Sequence, residues 1–568
     1  MYRLTTPYYD TMDKSIPHNY HPTPQFKRNS FFCLNGTWKF TLKLGEETVL
    51  DTKIRVPFCP ESMASGVECV ILPEHVMHYE KHFIIPEGFA DDRIILHFGA
   101  VDQICKVLIN DNYVGENKGG YLPFSFDITD WLVPGANKIN VIARDGINPK
   151  YPYGKQRYKR GGIWYTPVSG IWQTVWLESV PEVRIKSLYI TPLKNGVTVK
   201  VVGGENHKRL TVKETGEVYE FDGDTVEITP ENPQLWTPET PYLYNFTVEC
   251  GRDRIESYFA IRTLSIERIN GVKRICLNGK PYLFNGMLDQ GYYPEGIYTP
   301  VTEDGFIEDI KLAKSLGFNM LRKHIKVEPM IFYYLCDKMG IAVFQDMVNN
   351  GKYKFLRDTI LPTVATYQGQ KLNDEHFSPD EGIRKTFENS MYDTADLLMN
   401  SPSVVYYTIF NEGWGQFNAD KMYGQLCDFD HSRIIDSTSG WFRQTRSDVD
   451  SRHIYFRKLA PKNLDGKALV ISEFGGYSYK VKDHIFCEKE YGYRAFKTQQ
   501  EYENAVCALY ENEVKPLAKR GVSALVYTQV SDVEEEINGF ITYDRRVVKI
   551  NADRLKSINE ELKNISEK

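Results

Sequence analysis

Residues 404–412 read VVYYTIFNE, a short apolar run that ends in an asparagine and a glutamate. The run is long enough for a buried strand and shorter than a typical helix. A loop signal, NSPS at 400–403, precedes it, and GWG at 413–415 follows it. Buried strands of parallel sheets are continuous apolar runs, and a carboxylate at the C-terminal tip of such a strand lies where a (β/α)₈ barrel has its active site. Taken alone, Glu412 is more simply a helix cap or a member of a rim salt bridge.

A second strand of the same kind favours a catalytic role for Glu412 over these structural ones. Residues 468–476 read ALVISEFGG, which is again an apolar run, a carboxylate and glycines. Glycoside hydrolysis needs two carboxyl groups at one site. One must be protonated to supply the leaving oxygen with a proton, and the other must be ionised to attack or stabilise the anomeric carbon. Glu412 and Glu473 are therefore the candidate catalytic pair.

Both stretches resemble signatures of glycoside hydrolase family 2, the family of β-galactosidases, β-glucuronidases and β-mannosidases. Residues 400–412 are similar to the acid/base signature, with Tyr407 where tryptophan is usual. Residues 319–340 are similar to the family's other signature, one residue shorter after Arg322. The resemblance covers nearly the whole chain. It implies an exo-acting enzyme that retains anomeric configuration, with Glu412 as acid/base and Glu473 as nucleophile.

The bulk properties exclude several classes of function. The chain has 568 residues, 25% of them charged, and a formal net charge of −6, which favours neither a nucleic-acid partner nor an anionic membrane surface. Ten cysteines show no CxxC or Cys/His metal-binding spacing, the first residues contain no apolar core of signal-peptide length, and no apolar run reaches 18 residues. We therefore expect a cytoplasmic enzyme with no cofactor, whose partner is a glycoside or oligosaccharide, and homo-oligomerisation stays open.

The chain length predicts several domains. Residues 1–181 contain many short alternating strands, and the resemblance implies a jelly-roll sugar-binding-type domain there. Residues 182–264 fit an immunoglobulin-like β-sandwich that acts as a spacer. We predict that the first domain is mainly a buttress with at most one loop near the active site, and that the basic cluster 155–160 is a solvated loop.

Residues 265–568 predict a catalytic TIM barrel, because eight strand candidates alternate with helical patterns. We predict a helix from the N-cap Thr302 to Leu316, a helix over 330–339, and a helix that opens with a capping box at 378–381. The irregular stretch 347–377 is long enough to suggest a lid or specificity loop.

Seven further residues are predicted to bind substrate. Asn411 corresponds to the residue that hydrogen-bonds the sugar 2-hydroxyl in the family, and Arg322 is a plausible charge partner that keeps Glu473 ionised. His324 is a plausible donor to a sugar hydroxyl or a structural histidine, and Tyr455 resembles the tyrosine that donates to the nucleophile or is plain packing. Asp289 and Asp346 are each a sugar ligand or a member of a rim ion pair. Gln529 takes a last-strand position where many relatives carry tryptophan.

The nature of the sugar is predicted from two departures from the family. Residues 347–352 offer none of the acidic or histidine ligands that hold magnesium in the best-known β-galactosidases, so we expect no catalytic metal. β-Glucuronidases carry an Asn-x-Lys motif after the last strand, whereas residues 534–540 read EEEINGF. Three glutamates would repel a uronate carboxylate, which favours a neutral hexoside, with β-galactosides first.

Two alternatives stay open. A β-glucuronidase could draw the missing cation from the 347–377 stretch, where Lys352, Lys354 and Arg357 lie, or from a partner subunit. A catalytically inactive carbohydrate-binding protein would keep the barrel without turnover.

Overall fold

The computed structural model describes residues 2–360, 373–375, 377–378, 380–461 and 466–566. Its sheets fall into three consecutive parts of the chain. We keep 1–181, 182–264 and 265–568 as the proposed domain boundaries.

The first part is a jelly-roll sandwich of a four-stranded sheet, a six-stranded sheet and a two-stranded bridge. Alternating exposure along the strands, as in 136–144, sends every second side chain into a shared core that includes Trp38 and Phe40. Residues 2–30 lie outside these sheets and reach the barrel, where the Thr6 amide donates to Glu295 at 3.3 Å, so the prediction of an all-β start is wrong for them. The strands are β1 Phe31–Cys33, β2 Gly36–Leu44, β3 Glu47–Val56, β4 His75–Ile84, β5 Arg93–Phe98, β6 Val101–Asp102, β7 Ile104–Ile109, β8 Asn112–Lys118, β9 Phe124–Asp127, β10 Ala136–Arg144, β11 Gly170–Ile171 and β12 Val175–Val180.

The second part is an immunoglobulin-like sandwich of a three-stranded and a four-stranded antiparallel sheet. Val199, Leu210, Phe246 and Phe259 form part of its core. Its strands are β13 Ile185–Pro192, β14 Val197–Gly203, β15 His207–Val212, β16 Val218–Asp222, β17 Thr225–Ile228, β18 Tyr244–Cys250 and β19 Asp253–Phe259.

The third part is a nearly closed barrel of eight parallel strands. Three short antiparallel strands, β20 Leu264–Ile269, β21 Val272–Leu277 and β22 Lys280–Pro281, precede it. The barrel strands and one small ribbon are β23 Phe284–Asp289, β24 Met320–Lys323, β25 Ala342–Asp346, β26 Val404–Asn411, β27 Ile434–Ser439, β28 Val449–Ile454, β29 Ala468–Gly475, β30 Tyr477–Tyr479, β31 Arg494–Phe496 and β32 Ala524–Thr528.

The barrel order is β27-β26-β25-β24-β23-β32-β29-β28, which places β26 directly across the barrel from β32. The two end strands, β27 and β28, are joined by side chains: the Ser439 Oγ lies 3.4 Å from the Ser451 Oγ and 2.9 Å from the His453 Nε2. All eight strands are buried along their whole length, as expected for a sheet covered on both faces.

Helices cover the outside of the barrel. They are α1 Asp304–Ser315, α2 Met330–Met339, α3 Glu381–Leu398, α4 Ala419–Phe429, α5 Gln499–Leu509, α6 Lys515–Lys519 and α7 Ala552–Ser566, with π turns at Leu356–Ile360 and Tyr510–Val514. The described part of the chain has no helix that is both long and apolar enough to cross a membrane.

Two predicted helix starts are wrong. Glu303, not Thr302, occupies the N-cap of α1, and the Thr302 hydroxyl donates instead to the Asp304 carboxylate at 3.1 Å. Asp380, not Ser378, caps α3, since its carboxylate accepts the Ile383 amide at 3.0 Å. Within the first few residues of a helix, several polar side chains can compete for the same backbone donors.

The jelly roll meets the barrel at the C-terminal ends of the barrel strands. Buried aromatic residues of both parts, including Tyr121, Trp172 and Tyr298, form one apolar cluster. The loop after β10 is tied to the segment after β25, because the Tyr153 hydroxyl donates to the Gly351 carbonyl at 2.9 Å. This contact brings a loop of the first part to the rim of the barrel.

Candidate active site

Glu412 and Glu473 lie at the C-terminal ends of β26 and β29 and face the same point. His453, on β28, stands between them. Its Nδ1 is 2.8 Å from the Glu412 Oε1 and 3.4 Å from the Glu473 Oε2. One donor atom from each of the three residues lies within 4.8 Å of the other two. Glu412 itself has a left-handed backbone, with φ of 53°, at the turn that ends its strand.

Glu473 is held ionised by its surroundings. The Arg322 Nη1 donates to the Glu473 Oε1 at 3.1 Å, and the Tyr455 hydroxyl donates to the Oε2. Burial by itself raises the pKa of this carboxyl group, but the neighbouring His453 and Arg322 outweigh that effect and hold the pKa at about 2. Tyr455 is kept in place by stacking on Tyr493, with ring centroids 4.1 Å apart.

Glu412 has different surroundings. Its side chain is 21% exposed, against 6% for Glu473, and the structure gives it the histidine contact but no arginine. Burial raises the pKa of the Tyr353, Tyr491 and Tyr493 hydroxyl groups, and the charge of Glu412 adds to that rise, after that of Glu536 for the last two. One carboxyl group is thus paired and enclosed, and the other faces the opening.

Arg322 connects the strands beneath the pair. Besides Glu473, its guanidinium donates to the Asp346 carboxylate at 3.0 Å and to the Asn411 amide oxygen at 2.9 Å. Asp346 in turn contacts the His324 Nδ1 at 2.6 Å. Burial raises the pKa of Asp346, but Arg322 and His324 lower it to about 2. Burial lowers the pKa of His324 to about 4, and Lys155 adds to that effect, so the imidazole is neutral.

Asp289 and Gln529 use their polar atoms on protein neighbours. The Lys323 ammonium donates to Asp289 at 2.6 Å within a buried cluster of charged side chains. The Gln529 amide accepts from Gln290 at 2.9 Å and donates to Asn538 at 2.8 Å. Asp289 and Asp346 therefore take the ion-pair positions that the sequence left open for them. No predicted site residue lies outside the strand-end face of the barrel.

The glutamate run 534–536 is divided by the fold. Glu534 accepts the Thr166 amide at 2.9 Å, and Glu535 accepts the Gly162 amide at 3.1 Å and pairs with Lys489 at 2.7 Å. Glu536 is bound by the Tyr165 hydroxyl and by the Asn538 amide at 3.0 Å, on the side of the run that faces Glu473. The three carboxylates therefore do not act on one point.

The basic cluster 155–160 is not a solvated loop, and that prediction is wrong. The Arg157 guanidinium lies 3.6 Å from the Trp164 ring centroid, and Arg160 donates to Thr166 at 2.8 Å. Lys155 is partly buried and acts electrostatically on Glu473, His324 and Glu536. Sequence reasoning missed Lys155 and His453. The only signal in the sequence for His453 was its place two residues before Tyr455.

The segment 347–377 is described over 347–360, 373–375 and 377–378 only, so the rest of this predicted lid lies outside the described residues. Arg357 donates to the carbonyl oxygens of Gly413 at 2.9 Å and Phe377 at 3.0 Å. Lys352 and Lys354 are exposed to solvent. Arg357 thus supports the turn after Glu412, and a lid or specificity role stays a prediction.

Within the described residues, Glu412, His453 and Glu473 are also the one set of three metal-ligating side chains with donor atoms this close together. Hydrogen bonds already account for their approach, since His453 can donate to either carboxylate and Ser439 contacts its other nitrogen at 2.9 Å. The expected lack of a catalytic metal stays a prediction.

Comparison with known proteins agrees with this architecture. Three family models match in succession: the sugar binding domain of glycosyl hydrolases family 2 over residues 70–181, the family 2 model over 182–262, and the family 2 TIM barrel domain over 268–517. A β-glucuronidase structure from Dictyoglomus thermophilum aligns with a TM-score of 0.74 over 95% of this chain and 98% of its own, at 19% identity, which shows the shared fold.

The relatives found by sequence include proteins named β-galactosidase and proteins named β-glucuronidase. A β-galactosidase of Pseudoalteromonas haloplanktis is 26% identical over 436 residues, which are 70% of this chain and 37% of that protein. A β-glucuronidase of Paenibacillus borealis is 26% identical over 428 residues, 67% of each chain. This chain spans well under half the length of the β-galactosidases that it matches. With its three parts matched in order by family models, the chain belongs to glycosyl hydrolases family 2.

Proposed function

We propose that the protein is an exo-acting β-glycosidase that retains anomeric configuration through a double displacement. The observation that carries the proposal is the approach of Glu412 and Glu473, whose carboxylate oxygens lie within 4.8 Å of each other and of the His453 nitrogen. Retaining enzymes need carboxyl groups about 5–5.5 Å apart, because the second group attacks the sugar directly, whereas inverting enzymes leave room for a water.

Glu473 is the proposed nucleophile. Its carboxylate, held ionised by Arg322, forms a bond to the anomeric carbon while the bond to the leaving oxygen breaks. The more open Glu412 gives its proton to that oxygen. In the second step Glu412 takes a proton from water, the water oxygen bonds to the anomeric carbon, and the bond to Glu473 breaks.

The neighbouring residues have positioning roles in this proposal. Tyr455 donates to the Glu473 Oε2, whereas Arg322 donates to the Oε1, so each oxygen of the nucleophile is held by a different partner. Arg322 orients the Asn411 amide oxygen, which leaves the amide N–H groups available for the sugar 2-hydroxyl. Asp346 fixes the His324 ring through its Nδ1, which leaves the Nε2 to hydrogen-bond a sugar hydroxyl.

The exo mode and the β configuration follow from the surroundings and the relatives. The 146–169 loop of the jelly roll closes one side of the barrel mouth, because Tyr165 reaches Glu536 and Tyr153 reaches Gly351. A site closed on one side accepts the end of a glycan more easily than its middle. The names of the relatives, β-galactosidase and β-glucuronidase, support a β-linked hexoside. The predicted cytoplasmic location and a homo-oligomer stay predictions.

The replacement Glu473→Ala tests this function. We expect it to lower kcat on aryl β-glycosides by at least about a thousandfold, since covalent catalysis is lost. Added azide should restore part of the turnover and give a glycosyl azide of inverted anomeric configuration. The product is identified by proton NMR of the anomeric coupling. Near-normal turnover, or azide rescue with retained configuration, would refute the assignment, and a protein that hydrolyses no aryl glycoside is the inactive binding protein that the sequence left open.

A further inference from the structure

Lys155 carries a charge that the rest of the active site does not neutralise. Among the described residues, no acceptor lies within hydrogen-bonding distance of its ammonium group, although the side chain is partly buried. The other cations near the site are engaged: Arg322 by Asp346 and Glu473, and Lys323 and Lys326 by Glu328. Cations that lose water without gaining a partner are costly, and functional sites are where such groups persist.

The backbone around Lys155 fixes its position on two sides. The Lys155 carbonyl accepts the Tyr165 amide at 2.9 Å, and the Tyr165 hydroxyl donates to Glu536, which follows β32. On the other side, Gly154 packs so closely against the barrel that a Cβ there would lie 3.0 Å from the Ile325 carbonyl oxygen, one residue after His324. From this backbone position the charge of Lys155 acts on His324 after β24, on Glu473 in β29 and on Glu536 after β32.

This position is the far side of the site from the acid/base. The strand order puts β26, which ends in Asn411 and Glu412, across the barrel from β32. In the proposed function Glu412 faces the glycosidic oxygen and Asn411 the 2-hydroxyl. The opposite side, toward β32, β23 and β24, then receives the part of the ring furthest from them, which is C4, C5 and the C5 substituent.

We propose that the substrate is a β-hexuronide and that Lys155, supplied by the jelly roll, binds its C5 carboxylate. A carboxylate attached directly to the ring reaches a cation on the wall of the site, and a desolvated ion pair of this kind is worth more than one in water. The inference rests on the proposed function. It reverses the neutral-sugar preference that residues 534–536 suggested, because the fold uses Glu534 and Glu535 in contacts with the jelly roll.

Glu536 is the main competitor for Lys155. Burial raises the pKa of Glu536, and the charge of Lys155 opposes that rise. If Lys155 served only to neutralise Glu536 across the cavity, the sugar would be neutral. However, no contact of 4.0 Å or less joins the two groups, and both Glu536 oxygens already accept from Tyr165 and Asn538. The ammonium group thus remains the free partner.

The experiment compares kcat/KM for two matched pairs of substrates at one pH. They are the 4-nitrophenyl β-glucuronide against the β-glucoside, and the β-galacturonide against the β-galactoside. We expect the native enzyme to prefer one uronide over its neutral counterpart by about a hundredfold or more. Lys155→Gln should lower kcat/KM for that uronide about a hundredfold and change the neutral sugars by less than about threefold. Lys155→Arg should keep part of the preference.

Lys159→Gln is the matched control, because Lys159 is an exposed lysine of the same loop. It should leave both pairs unchanged. Thermal denaturation of each variant checks the fold, and we expect the Tm of Lys155→Gln to stay near that of the native protein, since its ammonium makes no hydrogen bond to any described residue. A preference of the native enzyme for neutral sugars or for 4-nitrophenyl 6-phospho-β-galactoside, or an equal loss on uronide and neutral sugar in Lys155→Gln, would overturn the inference. Hydrolysis of neutral glycosides alone would leave the proposed function standing, whereas no hydrolysis of any glycoside would remove both.

Discussion

Glu412 and Glu473 are the same kind of group in unlike surroundings, and that difference supports the tasks proposed for them. Arg322 and Tyr455 hold one carboxylate in a form that can attack carbon. Within the part of the chain that the structure describes, the Glu412 carboxylate has a hydrogen bond only with His453, and its side chain is the more exposed of the two. A general acid must exchange its proton with water once in each cycle, so the more exposed carboxyl is the better placed.

Replacing Glu412 by alanine tests this division of labour. The leaving group of an activated aryl glycoside departs without being protonated, whereas the leaving oxygen of an alkyl glycoside or a disaccharide needs a proton. We expect kcat/KM to fall about a thousandfold or more for alkyl glycosides and less than about tenfold for 2,4-dinitrophenyl glycosides. Kinetics over a series of leaving groups measure the difference. Glu46→Gln, on an exposed turn, serves as the control, and an equal loss for all leaving groups would contradict the acid/base role.

At the scale of elements, the loop 146–169 depends on one glycine for its close packing against the barrel. Gly154 has φ of +61°, and a Cβ there would lie 2.7 Å from the Tyr121 hydroxyl and 3.0 Å from the Ile325 carbonyl oxygen. The Tyr153 and Tyr165 contacts on either side hold the loop against the rim. Close approach is therefore what brings the neighbouring Lys155 into the site.

We expect Gly154→Ala to destabilise the protein by about 1–3 kcal/mol and to lower kcat/KM for the preferred uronide at least about tenfold. The matched control is Gly45→Ala, where φ is +59° but no atom lies within 4 Å of the added carbon. That control carries the same backbone strain without the contact. Thermal denaturation and kcat/KM measure the two effects. If both variants lose the same stability and neither loses activity, the close seat of the loop has no role in the site.

Much of the barrel could be predicted from the sequence, because its strands are buried on both faces. The runs at 404–411 and 468–475 are apolar throughout, and the helix over Met330–Met339 is as predicted. Tyr455 and Arg322 both donate to the Glu473 carboxylate, and Arg322 donates to the Asn411 amide oxygen, while their part in binding substrate stays a prediction. These features depend on local pattern or on positions within one strand.

The missed features depend on contacts between distant parts of the chain. Lys155 belongs to a loop whose own composition is typical of a solvated surface, and only its docking on the barrel turns it toward Glu473. The division of residues 534–536 depends likewise on backbone amides of the jelly roll. Periodicity and composition carry no information about such docking, because they describe neighbours along the chain.

At the scale of the whole molecule, the jelly roll places titratable groups in buried or half-buried positions. Glu61, Asp102 and Asp145 lie close together behind the 146–169 loop, and the Ser169 amide donates to Glu61 at 3.2 Å. Burial raises the pKa of Glu61 to about 8, and burial also raises that of Asp145 to about 6. These groups hold protons in the folded state that they release on unfolding.

Stability should therefore decline as the solution becomes more alkaline. A raised folded-state pKa contributes stability that is full below the unfolded value, near 4.5, and is lost as pH rises toward 8. We expect Glu61→Gln, which keeps an acceptor for Ser169, to remove up to about 1.4 kcal/mol of this loss per pH unit in that window. Tm measured between pH 5 and 8 should fall less steeply in the variant. Parallel curves for the two proteins would show that Glu61 is ionised throughout.

The division of the active site between two parts of the chain has a consequence for the evolution of substrate specificity. The carboxylates and their arginine belong to barrel strands, while Lys155, the proposed partner of the sugar carboxylate, lies 167 residues before Arg322 (322 minus 155). Recombination or drift in the upstream segment can exchange one glycone for another without disturbing the reaction itself. Enzymes with nearly the same barrel can thus differ in substrate specificity. A phylogenetic tree built from barrel sequences alone will group them by reaction mechanism instead of by the sugar that they hydrolyse.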